Sequence, residues 1–551
     1  MDQNQINGKL YSELLEGGML NLYNNISIVN NLNVFPIPDG DTGDNMYLTI
    51  DGGVQALNTS ENDSIGISSK KASDGMIMHA RGNSGAILSQ FFAGISEGLA
   101  EYDAVTIKEF CTALQKGVAK AYTAVLVPTE GTILTVAREA TEYVNKHIDE
   151  IDTLTKLFEY YLYGLRESLD KTPELLDVLK EAGVVDSGGA GLVYIFDGML
   201  KILKGETISE NGTVDLSNRH SSDIDYSKFT EDSVMEFGYC TEFLLRLQNS
   251  KVDVKNFNEN IIIDFLNSVG DSVVCFKTDS IIKAHVHTFK PGDVFNEVQK
   301  YGEFLTLKVE NMNIQHENSI VENAYSVKKN KKKYGIVTVA TGDGIINTFK
   351  ELGVDEVIQG GQSMNPSTED FIKAFKNINA DVIFVFPNNS NVILTAKLAS
   401  ELYEDAEIRI IETRNIGEGY ASVSMFDPTA SDADELEQGL IEAFDGIQTG
   451  MVSPCVRDSV INGVETHAGD FIGFLNKKII TNQKSAEDAL LDMAEKLNAS
   501  DYGVLIVISG KETTQEKTEY VKAQLHSKYK FTDICTIEGG QDIYNYILIL
   551  E

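Results

Sequence analysis

Asn33-Val34-Phe35-Pro36-Ile37-Pro38-Asp39-Gly40-Asp41-Thr42-Gly43-Asp44-Asn45-Met46 decides how the rest of the chain is read. Pro36 and Pro38 fix the backbone, Gly40 and Gly43 permit tight turns, and Asp39 and Asp41 project carboxylates from one short loop into a helix start. Crowded carboxylates repel one another and raise each other's pKa values unless a cation lies between them. Hard oxygen donors of this kind suit Mg²⁺, which is held by one or two carboxylates together with substrate phosphates. The spacing is not that of an EF-hand: with Asp39 as position one, the Glu required at position twelve is Ile50. A helix-capping Asx turn is the structural alternative for the same residues.

Outward from this loop, apolar residues recur at helical spacing from Leu10 to about Leu203, as in Leu10, Leu14 and Leu15 or Ile87, Leu88, Phe91, Phe92 and Ile95. An all-α domain of about eight helices is expected over residues 1–205. Within it, Thr172 and Pro173 read as the N-cap and first-turn proline of a helix that runs through Glu174, Leu175 and Leu176 and stops at Gly183. Ala80-Arg81-Gly82-Asn83-Ser84-Gly85 places small residues at another helix start, where unpaired N–H groups and the helix dipole attract phosphate. Pro128-Thr129-Glu130-Gly131-Thr132 and Asp186-Ser187-Gly188-Gly189-Ala190-Gly191 are similar. One such start is ordinary capping. Three in one domain beside an acidic loop describe a nucleotide site assembled from helix ends. No G-x-x-x-x-G-K-[ST] occurs and no G-x-G-x-x-G follows an expected strand, so neither a P-loop nor a Rossmann turn is involved.

At 551 residues the chain exceeds one core at roughly 100 to 200 residues per domain. Polar residues from Gly205 to about Ser233 read as a linker (206–233), and the five lysines of Lys328-Lys329-Asn330-Lys331-Lys332-Lys333 as a second, solvated one. Between them, residues 234–327 change period. Strands at Val234–Leu247, Ser272–Lys277, Ile281–Val286 and Phe304–Val309 alternate with helices near Phe257–Asn267 and Val294–Tyr301. This βαββαβ order is ferredoxin-like, an α+β sheet with the first strand beside the third and antiparallel to it. His285 and His287, two apart on a strand, share a face, and Cys240 on the neighbouring strand would complete a three-ligand zinc set with an open fourth position. A plain exposed histidine pair is the alternative. Residues 334–551 read as an α/β domain: from Tyr334 to Ile411 apolar strands alternate with amphipathic helices, which indicates a parallel sheet. Ser453–Lys478 reads as meandering strands, and Tyr502–Ser509 begins a last α/β unit ending in Ile547–Leu550.

The formal charge of −37, with no Lys/Arg cluster carrying interleaved aromatics, argues against nucleic-acid binding. Five scattered cysteines do not make a disulfide framework. Met1–Gln5 has neither a basic leader nor an apolar segment, and no run reaches the ~18 apolar residues of a membrane span. A cytoplasmic protein without a transmembrane segment is expected.

Taken together, the Asn33–Met46 pattern, Ala-Arg-Gly-Asn-Ser-Gly at 80–85 and Val-Val-Asp-Ser-Gly-Gly at 184–189 resemble the nucleotide-binding domain of the dihydroxyacetone kinase family. More closely, over the whole chain, they resemble the ATP-binding subunit of fatty acid kinases. The resemblance implies a helical barrel holding ATP and two Mg²⁺, with Asp39 and Asp41 as metal ligands and Asn33 standing where dihydroxyacetone kinases carry a third aspartate. It implies that Asn45, Arg81, Asn83, Ser84, Gly85, Thr132, Asp186, Ser187, Gly188 and Gly189 line the nucleotide. Asp44 is expected outside the metal shell and His79 in a structural role. The resemblance also implies Zn²⁺ on Cys240, His285 and His287, a homodimer, and a C-terminal domain (334–551) like the DegV-type fatty-acid-binding proteins, one of which would carry the substrate and is expected to dock on that domain. The expected activity is ATP-dependent phosphorylation of that fatty acid to an acyl-phosphate for phospholipid synthesis. A glycerone kinase and a non-catalytic lipid-binding scaffold are the alternatives.

Overall fold

The structure is a computed structural model. It describes residues 4–32, 40–57, 64–125, 127–208, 239–254, 257–278, 280–311, 331–361, 364–461, 463–476 and 478–551. The chain divides into two compact units, one made of residues 1–212 with 331–551 and the other of residues 213–330.

The first part of the larger unit is helical: α1 (Gly8–Tyr23), α2 (Ile26–Asn31), α3 (Thr42–Leu57), α4 (Ile65–Met78), α5 (Gly82–Leu99), α6 (Ile107–Thr123), α7 (Ile133–Lys146), α8 (Leu154–Leu175), α9 (Asp177–Ala182) and α10 (Ser187–Leu203). Apart from α2 and α9, which have six residues each, these are the eight long helices read from the periodicity. Their apolar faces meet in one continuous core that includes Leu15, Leu22, Met46, Ile50, Phe92, Phe158, Tyr161 and Phe196. A short antiparallel pair, β1 (Gln5–Asn7) with β2 (Ala104–Thr106), ties the start of α1 to the start of α6. Helices α1 and α10 approach at Gly17 and Gly198, where a Cβ on Gly198 would lie 2.3 Å from the Gly17 carbonyl oxygen.

Pro173 does not begin a helix; it lies in the last turn of α8. A proline there cannot donate to the carbonyl four residues back. The Thr172 hydroxyl donates to that Leu169 carbonyl instead, at 2.7 Å, so the helix survives its proline. The following α9 starts at Asp177 and ends, as expected, on Gly183 in the left-handed region.

The smaller unit contains β3 (Tyr239–Leu247), α11 (Asn260–Val269), β4 (Asp271–Thr278), β5 (Ile281–Thr288), α12 (Pro291–Val298) and β6 (Gly302–Asn311). The sheet order is β4-β5-β3-β6, with β3 antiparallel to β5, the ferredoxin-like arrangement. Its core is formed by Phe243, Leu245, Ile262, Leu266, Ile282, Val286, Val294 and Val298.

The remaining α/β domain has two sheets. The first is fully parallel in the order β10-β9-β7-β8, from β7 (Lys332–Ala340), β8 (Glu356–Gln359), β9 (Ala380–Phe386) and β10 (Glu407–Ile410). The second is mixed, in the order β15-β14-β11-β18-β16-β17, where β18 (Tyr546–Leu550) is the antiparallel partner of both β11 (Gln448–Pro454) and β16 (Val504–Ser509). The other strands are β12 (Ser459–Ile461), β13 (Val464–Thr466), β14 (Phe471–Leu475), β15 (Lys478–Gln483) and β17 (Asp533–Glu538). The lysine run is only partly a linker. Lys332 and Lys333 belong to β7, with Lys332 bonded to Asp355 at 2.5 Å and Lys333 to the carbonyls of Ala430 and Ser431. Burial of the following apolar strand draws the last two lysines into the sheet.

Candidate functional site

Asp41 immediately precedes α3, and its carbonyl accepts the first helical bond, from Asn45 N–H at 2.9 Å. Gly43 N–H donates to Asn30 Oδ1 at 2.7 Å while Asn30 Nδ2 donates to Asp44 Oδ2 at 2.6 Å, so α2 holds the first turn of α3. Asp44 is therefore engaged by its own domain. Asn33 and Asp39 lie outside the described residues.

Arg81 is extended and precedes α5. Gly82 has φ +56°, and a Cβ on it would lie 2.8 Å from Asn45 Nδ2 and 3.0 Å from Asn365 Nδ2. Only glycine satisfies both conditions, which brings the start of α5 against α3. A Cβ on Gly85 would likewise meet Thr49 Oγ1 of α3, at 2.3 Å. At the start of α10, the Ser187 hydroxyl donates to Thr42 Oγ1 of α3 at 3.2 Å. Gly188 faces Ile133, the first residue of α7. The starts of α3, α5, α7 and α10 are thus linked neighbours at one end of the helical domain. His79 closes α4, its ring nitrogen bonded to the Gly75 carbonyl at 2.9 Å.

Asp186 caps α10 by accepting from Gly189 N–H at 2.7 Å, and its own N–H donates to the Thr172 hydroxyl at 3.1 Å. Burial pushes its carboxyl up to about 6, against the opposing pull of the Gly189 and Ile133 amides. Thr132 stands at the N-cap of α7, behind a loop braced from inside the helix. Thr135 Oγ1 accepts from Gly131 N–H at 2.8 Å and donates to Glu130 Oε2 at 2.6 Å, and Arg138 donates to the same oxygen at 2.9 Å. The Thr135 hydroxyl, followed by Arg138 and Tyr122, holds the Glu130 carboxyl below its usual range against partial burial.

Residues of the C-terminal domain reach this end of the helical domain, which the sequence did not indicate. Asn365 Nδ2 donates to Asp41 Oδ2 at 2.5 Å. Arg81 donates to the Asn365 carbonyl at 2.8 Å, lies 3.8 Å from Asp370, and pairs as a β-bridge with Ser367. Asn83 Nδ2 lies 3.3 Å from Asn391 Oδ1 and 3.5 Å from the Ser390 carbonyl. Leu394 and Leu398 pack on Ala80 and Ala86 behind these polar contacts. The stretches Gly360–Ser367 and Phe386–Asn391 look like ordinary turn sequences, and nothing local marks their partners.

A cavity of about 710 Å³ lies elsewhere, at the ends of β7, β8, β16 and β17 and lined by Asp343, Lys511, Glu538 and Asp542 among others. In the smaller unit, the backbone register sets Cys240 opposite His287 and Glu242 opposite His285. The side chains of Cys240, His285 and His287 lie outside the described residues. Among the described residues no three His, Cys, Asp or Glu side chains form a metal-binding group, and no helix is long and apolar enough to cross a membrane.

Comparison with known proteins accounts for each of these parts in turn. Residues 36–201 match the DAK2 domain, residues 236–319 the FakA-like middle domain of fatty acid kinases, and residues 335–551 the FakA-like C-terminal domain. Protein YloV of Bacillus subtilis is 38% identical over 555 residues, covering 99% of both chains. A Staphylococcus epidermidis protein is 38% identical over 554 residues, covering 99% of this chain and all of its own. Among solved structures, a fatty-acid-binding DegV family protein from Thermus thermophilus covers 40% of this chain and all of its own, with 11% identity and a TM-score of 0.31. The dihydroxyacetone kinase from C. freundii with AMP-PNP and Mg²⁺ covers 35% of this chain and 33% of its own, with 16% identity and a TM-score of 0.28. These two likenesses are too partial to assign anything. The full-length relatives and the three domain matches do decide the family: the chain belongs to the kinase family of YloV, with a DAK2 domain followed by the FakA-like middle and C-terminal domains of fatty acid kinases.

Proposed function

We propose that the chain is the ATP-dependent subunit of a fatty acid kinase, acting on a fatty acid presented by a separate DegV-type fatty-acid-binding protein. The observation that carries this reading is the meeting of four helix starts, α3, α5, α7 and α10, at one end of the helical domain, with Asp41 directly before the first of them. Oriented N–H groups beside a carboxylate are the donor set that a magnesium nucleotide requires. Gly82, Gly188 and Gly189 stand where an added Cβ would crowd Asn45 and Asn365, Ile133, and Val136 and Leu169 respectively, so the helix starts can pack this closely. The residues present therefore fit the group.

In this reading Asp39 and Asp41 hold Mg²⁺, with Asn33 near them, and Asn45, Arg81, Asn83, Ser84, Gly85, Thr132 and Asp186–Gly189 hold the nucleotide. When bound, Mg²⁺-ATP supplies the phosphoryl group and cancels much of its charge. The protein aligns the acceptor and stabilises charge with N–H dipoles. A fatty carboxyl, with an ordinary pKa of roughly 4 to 5, is already ionised at neutral pH, so no general base is needed. Cys240, His285 and His287 are proposed to take zinc, in keeping with the register that sets Cys240 across from His287. Incubation of the full chain with Mg²⁺-ATP and a lipid-loaded partner should yield hydroxylamine-trappable acyl-phosphate. Turnover with dihydroxyacetone and none with the loaded partner would replace this reading with a glycerone kinase.

A further inference from the structure

We propose that Asn365 of the C-terminal domain is a positioning residue for Asp41, which makes that domain a working part of the metal site on the helical domain. The inference rests on the reading of Asp41 as a magnesium ligand.

Asn365 is 1% exposed. Its Nδ2 donates to Asp41 Oδ2 at 2.5 Å, and its Oδ1 receives Asn389 Nδ2 at 3.4 Å. The second bond determines which end of the amide faces Asp41. Its carbonyl receives Arg81 at 2.8 Å. Pro366 restricts Asn365 to extended backbone, and the next residue, Ser367, forms a capping box with Asp370, the same carboxylate that faces Arg81. Gly82 leaves the space that lets Asn365 come this close.

A carboxylate that coordinates a cation through one oxygen is oriented by the hydrogen bond its other oxygen accepts. Loss of such outer donors typically weakens metal binding or activity by about 10- to 100-fold. Here the donor comes from 324 residues along the chain, in another domain. Were Asn365 merely adhesive, its loss would loosen the domain contact and leave cation affinity alone.

The test is calorimetric titration of Mn²⁺ into the full chain with a non-hydrolysable ATP analogue, comparing wild type, Asn365→Ala, Asn365→Leu, Leu394→Ala and Asp41→Ala. Asn365→Ala should weaken Mn²⁺ binding about tenfold or more. Asn365→Leu, nearly isosteric and so still informative if the alanine variant folds poorly, also removes the donor to Asp41 and should weaken binding to a similar extent. Leu394→Ala thins the apolar part of the same contact without touching Asp41 and should leave the affinity unchanged. Wild-type affinity in either Asn365 variant, or an equal loss in Leu394→Ala, would overturn the proposal. If Asp41→Ala also binds Mn²⁺ normally, the magnesium reading itself falls. If Asp41→Ala loses the cation while both Asn365 variants keep it, only the role of Asn365 falls.

Discussion

The starts of α3 and α10 carry the same residue type at the same local position, and the molecule uses the two differently. Asp186 turns back on its own helix to Gly189 N–H and is shielded enough for its carboxyl to be pushed up to about 6. Asp41 receives an amide from another domain, Asn365, at 2.5 Å. An aspartate before a helix is thus not one kind of object. A shielded carboxyl near its own titration point is a poor permanent anion, whereas one reached by an outside donor is already part of a constructed site.

The largest expected effect separates the two directly. In the proposed kinase, Asp41→Asn should lower acyl-phosphate formation by at least about a thousandfold, which corresponds to about 4 kcal/mol. Thermal stability should fall only slightly, since one helix-start charge is worth about 0.3–1 kcal/mol. Asp186→Asn keeps an acceptor for Gly189 and should retain far more turnover. Hydroxylamine trapping with purified variants measures both, and an equal loss in the two would erase the distinction.

Asp186 also makes a pH prediction with a definite sign. Its folded pKa of about 6 lies above the ordinary value of 3.8, so its contribution to stability is fully present below about pH 4 and is lost as pH rises through about 6. Asp186→Asn does not titrate. Measured by denaturant unfolding without nucleotide, the variant should therefore gain on wild type between pH 4 and pH 7, by no more than about 3 kcal/mol. A constant difference across that range would place the carboxyl in water and remove the contrast with Asp41.

Much of this was legible from the chain. The helical domain could be read because its apolar spacing and its helix starts are local signals, and the same holds for the βαββαβ order of the smaller unit. The parallel sheet of the C-terminal domain was visible as well. Pro173 misled because a first-turn proline and a last-turn proline look alike until Thr172 is seen bonding back to Leu169. Asn365 and Asn389 lie in strand-end stretches whose amides could bond a carboxylate but read more simply as turns. Asn-Pro and Asn-Asn are turn chemistry wherever they occur, and only tertiary structure brings them to a carboxylate hundreds of residues earlier. The mixed second sheet was obscured for a related reason: β18, the last strand in sequence, is inserted between β11 and β16.

The close approach that joins the domains has its own test. Gly82→Ala imposes a left-handed backbone on alanine and drives its Cβ against Asn45 and Asn365. Gly183→Ala imposes only the backbone strain, since nothing lies within 4 Å of the added carbon. The first substitution should cost about 2–3 kcal/mol and the second about 1 kcal/mol. Chemical denaturation gives both. Equal costs would mean that the helical domain yields at this contact, leaving Asn365 little hold on α3.

The smallest expected effect bears on how the Asp186 side of the comparison is held. Thr172 donates to the Leu169 carbonyl that Pro173 leaves unpaired and accepts from the Asp186 N–H, so one hydroxyl serves both the end of α8 and the start of α10. Thr172→Val keeps the shape and removes both bonds. A buried polar group left unpaired costs about 1–3 kcal/mol, and relaxation of the helix end should keep the total near the lower limit, about 1–2 kcal/mol. The loss should appear in unfolding free energy while Mn²⁺ affinity at Asp41 stays at the wild-type value, because neither of these two bonds leads to α3. A weakened cation site in this variant would show that the two helix starts are coupled through α10, by way of the Ser187–Thr42 contact, and would merge what the structure keeps apart.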